Sequence, residues 1–398
     1  MPKIAQRAEY MPPSPIRKLV PFAEAAKKRG VHVYHINIGQ PDIHTPKVLL
    51  DAFRNQEIKV LPYGHSAGLW EYRDELVKYY SRFNINITSD EIVVTNGGSE
   101  AIIFTMMATM DPGDEIIIPE PFYTNYNGFA VEAGIKIVPV TSRVEEGFKL
   151  PPLDEIESKI TSRTRAIMIC SPNNPTGYVY TPEEMEGLRQ LVLRHDLFFF
   201  SDEVYREFIF DGAVYTSVMH LDGIEDRAVL LDSISKRYSA CGARIGCLVT
   251  HNKDILSAGL RLGQARLCPP TLEQMAAKAA VNTPPSYFDE VVSEYKKRRD
   301  VVFEELGTIP GVVALKPQGA FYTIVKLPVD DADKFSAWLL NEFSLEGETV
   351  MLAPANGFYA TPGKGNDEVR IAFVLNVNDM RRSMKILHAA LQVYPGRK

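Results

Sequence analysis

The chain has 398 residues, 45% of them hydrophobic and 24% charged, with a formal net charge of −6 and an isoelectric point near 5.8. That length exceeds what one hydrophobic core usually serves, so two folding units are expected. The acidic balance offers no field for nucleic acid, no apolar run is long enough to span a bilayer, and the opening MPKIAQRAEYMPPSP has no apolar signal core, so a cytoplasmic protein is expected.

The Pro-rich start (Pro12, Pro13, Pro15) reads as an extended arm that must pack on something else. From residue 90 to 250, short apolar runs alternate with helical patterns: EIVVT (91–95), EIIIP (115–119), RAIMIC (165–170), LFFFSD (197–202), AVLLDS (228–233) and ARIGCLVT (243–250). They are β-branched or aromatic, bounded by Gly, Pro, Asn and Asp, and mostly lack polar alternation, as strands buried on both faces do. With helices between them, an α/β fold with a mainly parallel sheet flanked by helices is expected. The segment 286–306 has apolar residues at helical spacing and a charged face including Lys296, Lys297, Arg298 and Arg299, read as a solvated face. GAFYTIVKL, ETVMLAPA and VRIAFVL are strand-like, with amphipathic helices at 331–343 and 378–393. A large domain over 46–285 and a smaller α+β domain made of 1–45 and 286–398 are therefore expected. The four cysteines (Cys170, Cys241, Cys247, Cys268) lack zinc-type CxxC spacing, so free thiols and no metal site are expected.

In open α/β sheets, ligands bind beyond the carboxyl ends of the strands, and the unusual polar residues of this chain fall there. NGGSEAI (96–102) follows EIVVT and opens a helix; Gly97 and Gly98 allow close backbone approach, and free N–H groups at a helix start favour a phosphate. Alone, that piece reads equally as a plain turn. SPNNPTG (171–177) marks a tight turn after RAIMIC. Asp202-Glu203-Val204-Tyr205 closes LFFFSD, where an aspartate is costly to bury unless it meets a cation. Ser233-Ile234-Ser235-Lys236, then Cys241-Gly242-Ala243-Arg244-Ile245-Gly246, put a lysine and, eight residues on, an arginine after another buried strand.

Together and in this order, SPNNPTG, D-E-V-Y, S-x-S-K and G-x-R-I-G resemble the fold-type-I pyridoxal-phosphate enzymes, specifically the class I/II aminotransferases of aspartate and aromatic type, from about Ser14 to the C-terminus. The resemblance implies pyridoxal 5′-phosphate held as a Schiff base on Lys236, which then shuttles a proton at the substrate α-carbon, a duty that demands a strongly depressed lysine pKa. It sets Asp202 at the pyridine nitrogen, keeping it protonated so that the ring draws electrons. Tyr205 and Asn174 fall at the phenolic oxygen. The N–H groups near Gly98, Ser99 and Glu100, the Ser233 hydroxyl and the Arg244 guanidinium surround the phosphate, and Tyr123, in PEPFY, covers the ring face. Arg370, in EVRIAFV, matches the arginine that grips the substrate α-carboxylate, with Gly39 of NIGQPD and Asn174 beside it. Tyr63, in YGHSAG, resembles the tyrosine that reaches a neighbouring subunit's phosphate, which implies a homodimer with shared active sites.

The implied reaction is ping-pong exchange of an amino group between an L-amino acid (aspartate, aromatic or alanine class) and a 2-oxo acid, with 2-oxoglutarate the expected acceptor. A C–S lyase working by β-elimination on the same fold shares the carbanion chemistry and stands as the alternative; the EVRIAFV and NIGQPD matches favour transamination. A non-catalytic regulator would need a DNA-binding module, for which the fold leaves no room, and Lys236 argues against it. No GxGxxG follows a strand, which counts against a nicotinamide enzyme. In the bacterial aspartate aminotransferases of similar pattern a lysine often follows the two glycines and helps hold a distal carboxylate. Ser99 stands there in this chain, which weakens an aspartate assignment.

Overall fold

A computed structural model describes residues 2–398, whose strands form three sheets. The first strand, β1 (His32–His35), belongs with the C-terminal part of the chain. The next seven, β2 (Ile92–Thr95), β3 (Glu115–Glu120), β4 (Lys136–Thr141), β5 (Thr164–Cys170), β6 (Phe198–Asp202), β7 (Ala228–Ser233) and β8 (Gly246–Val249), make one sheet in the order β2-β8-β7-β6-β5-β3-β4. Successive side chains of a strand point to opposite faces. Ile117, Ile167, Phe199 and Leu230 thus enter one core, under the helices Trp70–Ser81 and Pro182–Arg194. Ile116, Met168, Phe200 and Leu231 enter a second, under Gly97–Thr109 and Asn125–Ala133. Two covered faces explain why these strands read as unbroken apolar runs.

Two details depart from the sequence reading of this sheet. The strand β4, KIVPVT, is not among the runs named above, and it carries Pro139. It lies at the sheet's edge, bonded on one side only, where a residue without an N–H is tolerated. The run 243–250 becomes a strand only from Gly246, and β8 runs antiparallel to both neighbours, opposing Gly246 to Thr95 and to Ser233. Hence the start of β8, not its end, lies at the carboxyl edge formed by β2 and β7, which brings Cys241–Ile245 to that edge. Gly246 is required there, since a Cβ would stand 2.5 Å from the Gly97 carbonyl carbon.

The remaining strands are β9 (Tyr322–Lys326), β10 (Glu348–Met351), β11 (Ala353–Pro354) and β12 (Glu368–Ala372); β10 pairs in parallel with β1, and β11-β12-β9 form an antiparallel sheet. Val325, Val350 and Ile371 pack with Val302, Phe335 and Leu387 of the helices Pro285–Leu306, Ala332–Asn341 and Val377–Val393. The charged face of the first of these is only half solvated. Lys296 and Lys297 are exposed, but Arg298 and Arg299 are buried, Arg299 donating to the Pro317 carbonyl at 2.8 Å and pairing with Asp211 at 2.7 Å. An arginine's fork can reach partners across a packed helix, so charge at helical spacing does not guarantee a wet face. Among the described residues no helix is long and apolar enough to cross a membrane.

One buried carboxylate ties the strand ends together. Asp232 of β7 accepts from Arg206 at 2.9 Å, from Arg237 at 2.8 Å and from the Tyr80 hydroxyl at 2.8 Å. Burial pushes its pKa up, but the two guanidiniums outweigh burial and hold it below the ordinary aspartate value. Replacing Asp232 with Ala takes away the carboxylate shared by two buried guanidiniums, leaving Arg206 only Glu203 and Arg237 only Glu207 as acidic partners, and a loss of about 3 kcal/mol is expected. A chemical-denaturation midpoint shift reads it, and an unchanged midpoint would show that Asp232 is not what holds these turns.

Candidate active site

A cavity of about 460 Å³ opens at the carboxyl edge of the seven-stranded sheet. Gly39, Gly98, Ser99, Tyr123, Asn174, Asp202, Tyr205, Ser233, Lys236, Arg244 and Arg370 all line it, so residues spread over more than 300 positions converge. Each strand delivers its residue by ending there: Asp202 closes β6, Ser233 closes β7, and Asn174 sits in the turn after β5.

Lys236 stands on the short helix Ile234–Arg237, whose start is capped by the Ser233 hydroxyl accepting from the Ser235 N–H at 3.2 Å. Its Nζ donates to the Gly39 carbonyl at 2.8 Å and lies 3.8 Å from the Cys241 Sγ. Burial, the largest single influence, and Arg370 work to lower the ammonium's pKa, but Tyr322, Cys241 and Tyr123 together outweigh them, and the net direction is upward. The chain's own side chains therefore do not lower that pKa in the ligand-free protein. The groups around Nζ are mostly hydroxyls and a thiol rather than cations.

At one end of the cavity, the helix Gly97–Thr109 begins with N–H groups that have no partner within the helix. Gly97 has φ +78°, and a Cβ there would meet the Arg244 guanidinium at 2.1 Å, so Arg244 lies directly across the helix start. Arg244 is held by donating to the Cys241 carbonyl at 3.0 Å, and Ser233 donates to the Ile245 carbonyl at 2.9 Å. Glu100 does not line the cavity: its carboxylate turns back to accept from the Asn96 N–H at 2.8 Å and pairs with Arg266 at 3.3 Å. Only its backbone N–H is left for the part expected of it.

Asp202 is buried with no cation among the described residues. Its carboxylate accepts from the Tyr126 hydroxyl at 2.8 Å and from the Val204 N–H at 3.4 Å, and desolvation pushes its pKa up to about 6. The Tyr205 hydroxyl lies 3.0 Å from that of Tyr322 and accepts from the Asn174 amide at 3.4 Å. The other end of the Asn174 amide accepts from Arg370 at 3.0 Å. Arg370, in the middle of β12, also donates to the Asn37 carbonyl at 2.5 Å and lies over the Tyr322 and Phe358 rings. It is 2% exposed, has no acidic partner among the described residues, and its Nε is unpaired. Burial lowers its pKa. Tyr123, half-buried, meets Tyr126 edge-on at 5.5 Å.

Tyr63, like Glu100, is a predicted residue that the fold leaves outside the cavity; it is 79% exposed. Tyr126 and Tyr322 were missed. Tyr126 had a readable signal, standing one helical turn after Tyr123. Tyr322 had none, because its partners at 205 and 39 are 117 and 283 residues distant.

The family described as aminotransferase class I and II matches residues 31–386. The aspartate aminotransferase of Geobacillus stearothermophilus is 31% identical over 98% of this chain and 99% of its own length. Two solved structures superpose with a TM-score of 0.89. One is the aspartate aminotransferase of Thermus thermophilus with maleate, 27% identical, covering 98% of this chain and all of its own. The other is an alanine aminotransferase of Pyrococcus furiosus, 30% identical, covering 97% and 99%.

The unpaired Asp202 generates a pH prediction for the ligand-free protein. A carboxyl raised from 3.8 to about 6 on folding gives the folded state extra protons between those values, so its ionisation costs stability as pH rises through that window. Asp202→Asn removes the cost. The variant should match the parent below pH 3.8 and gain stability up to about 3 kcal/mol above pH 6, at about 1.4 kcal/mol per pH decade. Thermal midpoints of the two proteins that run parallel across pH 4–8 would contradict this.

Proposed function

The chain belongs to the class I and II aminotransferases and is a pyridoxal-phosphate-dependent enzyme, and on that premise we propose that it exchanges the amino group between an L-amino acid and 2-oxoglutarate, in ping-pong fashion, at the cavity around Lys236. The observation that carries this reading is a pair of buried charges without partners facing one cavity: Asp202 lacks a cation and Arg370 lacks an acid. Each is costly to bury alone, so each implies a ligand of opposite charge.

The cavity fits the cofactor. An unpaired carboxylate suits a protonated ring nitrogen, and a helix start crossed by Arg244 suits a phosphate. When bound, pyridoxal phosphate supplies an electron sink for the charge left on the substrate α-carbon as its proton departs. Asp202 would hold the ring nitrogen protonated, Tyr205 and Asn174 would bond the phenolic oxygen, and Tyr123 would cover the ring. The N–H groups of Gly98, Ser99 and Glu100, the Ser233 hydroxyl and Arg244 would take the phosphate. Lys236 would carry the cofactor and, freed from it, hold and return the proton at the substrate α-carbon. Arg370 would grip the α-carboxylate as a fork, with Asn174 and the Gly39 backbone beside it. The seven-stranded sheet within 46–285 would thus serve mainly the cofactor, and the units 1–45 and 286–398 the substrate.

A homodimer belongs to the same reading. Tyr63 stands beside exposed Val60 and Leu61, an apolar strip that a second copy would cover, and Tyr63 would then complete the partner's phosphate site. All four cysteines are free, which suits a reducing cytoplasm.

Cofactor-loaded protein given an L-amino acid alone should release one 2-oxo acid per site and stop, restarting when 2-oxoglutarate is added; Lys236→Ala should release none. Continued release of ammonia and oxo acid without an acceptor would replace the transaminase reading with a lyase. For the shared site, inactive Lys236→Ala and a nearly inactive Tyr63 variant are unfolded, mixed in equal amounts and refolded. About a quarter of all sites should become intact by random pairing. If mixed dimers form and activity never exceeds the sum of the parents, Tyr63 serves its own subunit.

A further inference from the structure

Four cationic side chains line the cavity, Arg17, Lys236, Arg244 and Arg370, against one acid, Asp202. On the reading above, which this inference rests on, Lys236 carries the cofactor, Arg244 meets its phosphate and Arg370 takes the substrate α-carboxylate. Arg17 is left over. It is exposed at the cavity wall, and its guanidinium has no acidic partner among the described residues, whereas the adjacent Lys18 pairs with Asp333.

Arg17 is not on a loose arm. The Arg17 N–H donates to the Ser14 carbonyl at 3.2 Å, closing a turn, and both residues line the cavity with Ile16. Pro15 packs so closely on Gly357 that a Cβ on the glycine would stand 2.3 Å from it. The Ile16 carbonyl accepts from the Asn37 amide at 3.4 Å, and the Asn37 carbonyl in turn accepts from Arg370. The turn that presents Arg17 is thereby linked through one asparagine to the guanidinium at the α-carboxylate end. Ser99, also on the wall, carries no charge.

We infer that Arg17 is the specificity-determining residue for dicarboxylic substrates: it takes the distal carboxylate of the amino acid or 2-oxo acid while Arg370 holds the α-carboxylate. A ping-pong enzyme must pass both substrates through one cavity. An exposed arginine suits that demand, since it stays hydrated when the side chain beside it is neutral and gains charge-assisted hydrogen bonds when that side chain ends in a carboxylate. The cavity therefore accepts an acidic acceptor without excluding an uncharged donor.

The test compares ligands of equal length with and without the second carboxylate, on cofactor-loaded wild type, Arg17→Ala and Arg17→Lys. Binding of glutarate and pentanoate is measured by titration calorimetry, and kcat/KM is measured for 2-oxoglutarate and 2-oxopentanoate. Wild type should prefer each diacid by at least tenfold, Arg17→Ala should lose that ratio in both measurements, and Arg17→Lys should recover part of it. A diacid preference that survives in Arg17→Ala overturns the inference, as does an equal loss for both members of each pair, which would mark a structural role. A wild type that transaminates without preferring the diacid also overturns it while leaving the aminotransferase reading intact. A wild type that transfers no amino group overturns that reading itself.

Discussion

Asp232 accepts hydrogen bonds from two buried guanidiniums, and the geometry of the site follows from that arrangement. Arg206 lies four residues after Asp202, and Arg237 directly follows Lys236, so the clamp joins the turn after β6 to the turn after β7. Ion pairs this deep in a protein contribute little net stability, because desolvation offsets most of the attraction. Their effect is to fix relative position. Here they fix the turns that carry Asp202 and Lys236 into the cavity.

With those turns held, the cavity can keep charges that no protein group neutralises. Asp202 is buried with a tyrosine hydroxyl for company and a carboxyl raised to about 6, and Arg370 is buried among aromatic rings and carbonyls. Both are unfavourable in the ligand-free protein, and both gain when a ligand of opposite charge enters. The strain of the site and its selectivity thus have one electrostatic origin. Lys236 behaves differently. Its Nζ donates to the Gly39 carbonyl, and its neighbours move its pKa upward rather than toward the neutral amine.

The end of the cavity around Arg370 is assembled from distant parts of the chain. Arg370 on β12, Asn174 after β5, Asn37 after β1 and the Ser14–Arg17 turn are linked by hydrogen bonds that pass from one to the next. Two guanidiniums on this wall have no acid beside them among the described residues, Arg370 buried and Arg17 exposed, while Ser99 adds no charge.

The sequence by itself determined the class of fold and most of the residues that line the cavity, because both are written in local patterns. Runs such as RAIMIC and AVLLDS are apolar throughout since both faces of the sheet are covered, and SPNNPTG, D-E-V-Y and S-x-S-K sit at strand ends where a parallel sheet places its ligands. Tertiary structure decided what depends on pairing between remote residues. The proline-bearing strand β4 is tolerated only because it is an edge, Arg298 and Arg299 are buried only because Asp42, Asp211 and Pro317 come to meet them, and Glu100 turns from the cavity because Arg266 draws it away. The Lys236 shift depends in part on Tyr322 and Tyr123, and the placement of Tyr322 on Tyr205, groups tens to more than a hundred residues away whose field a local pattern does not carry.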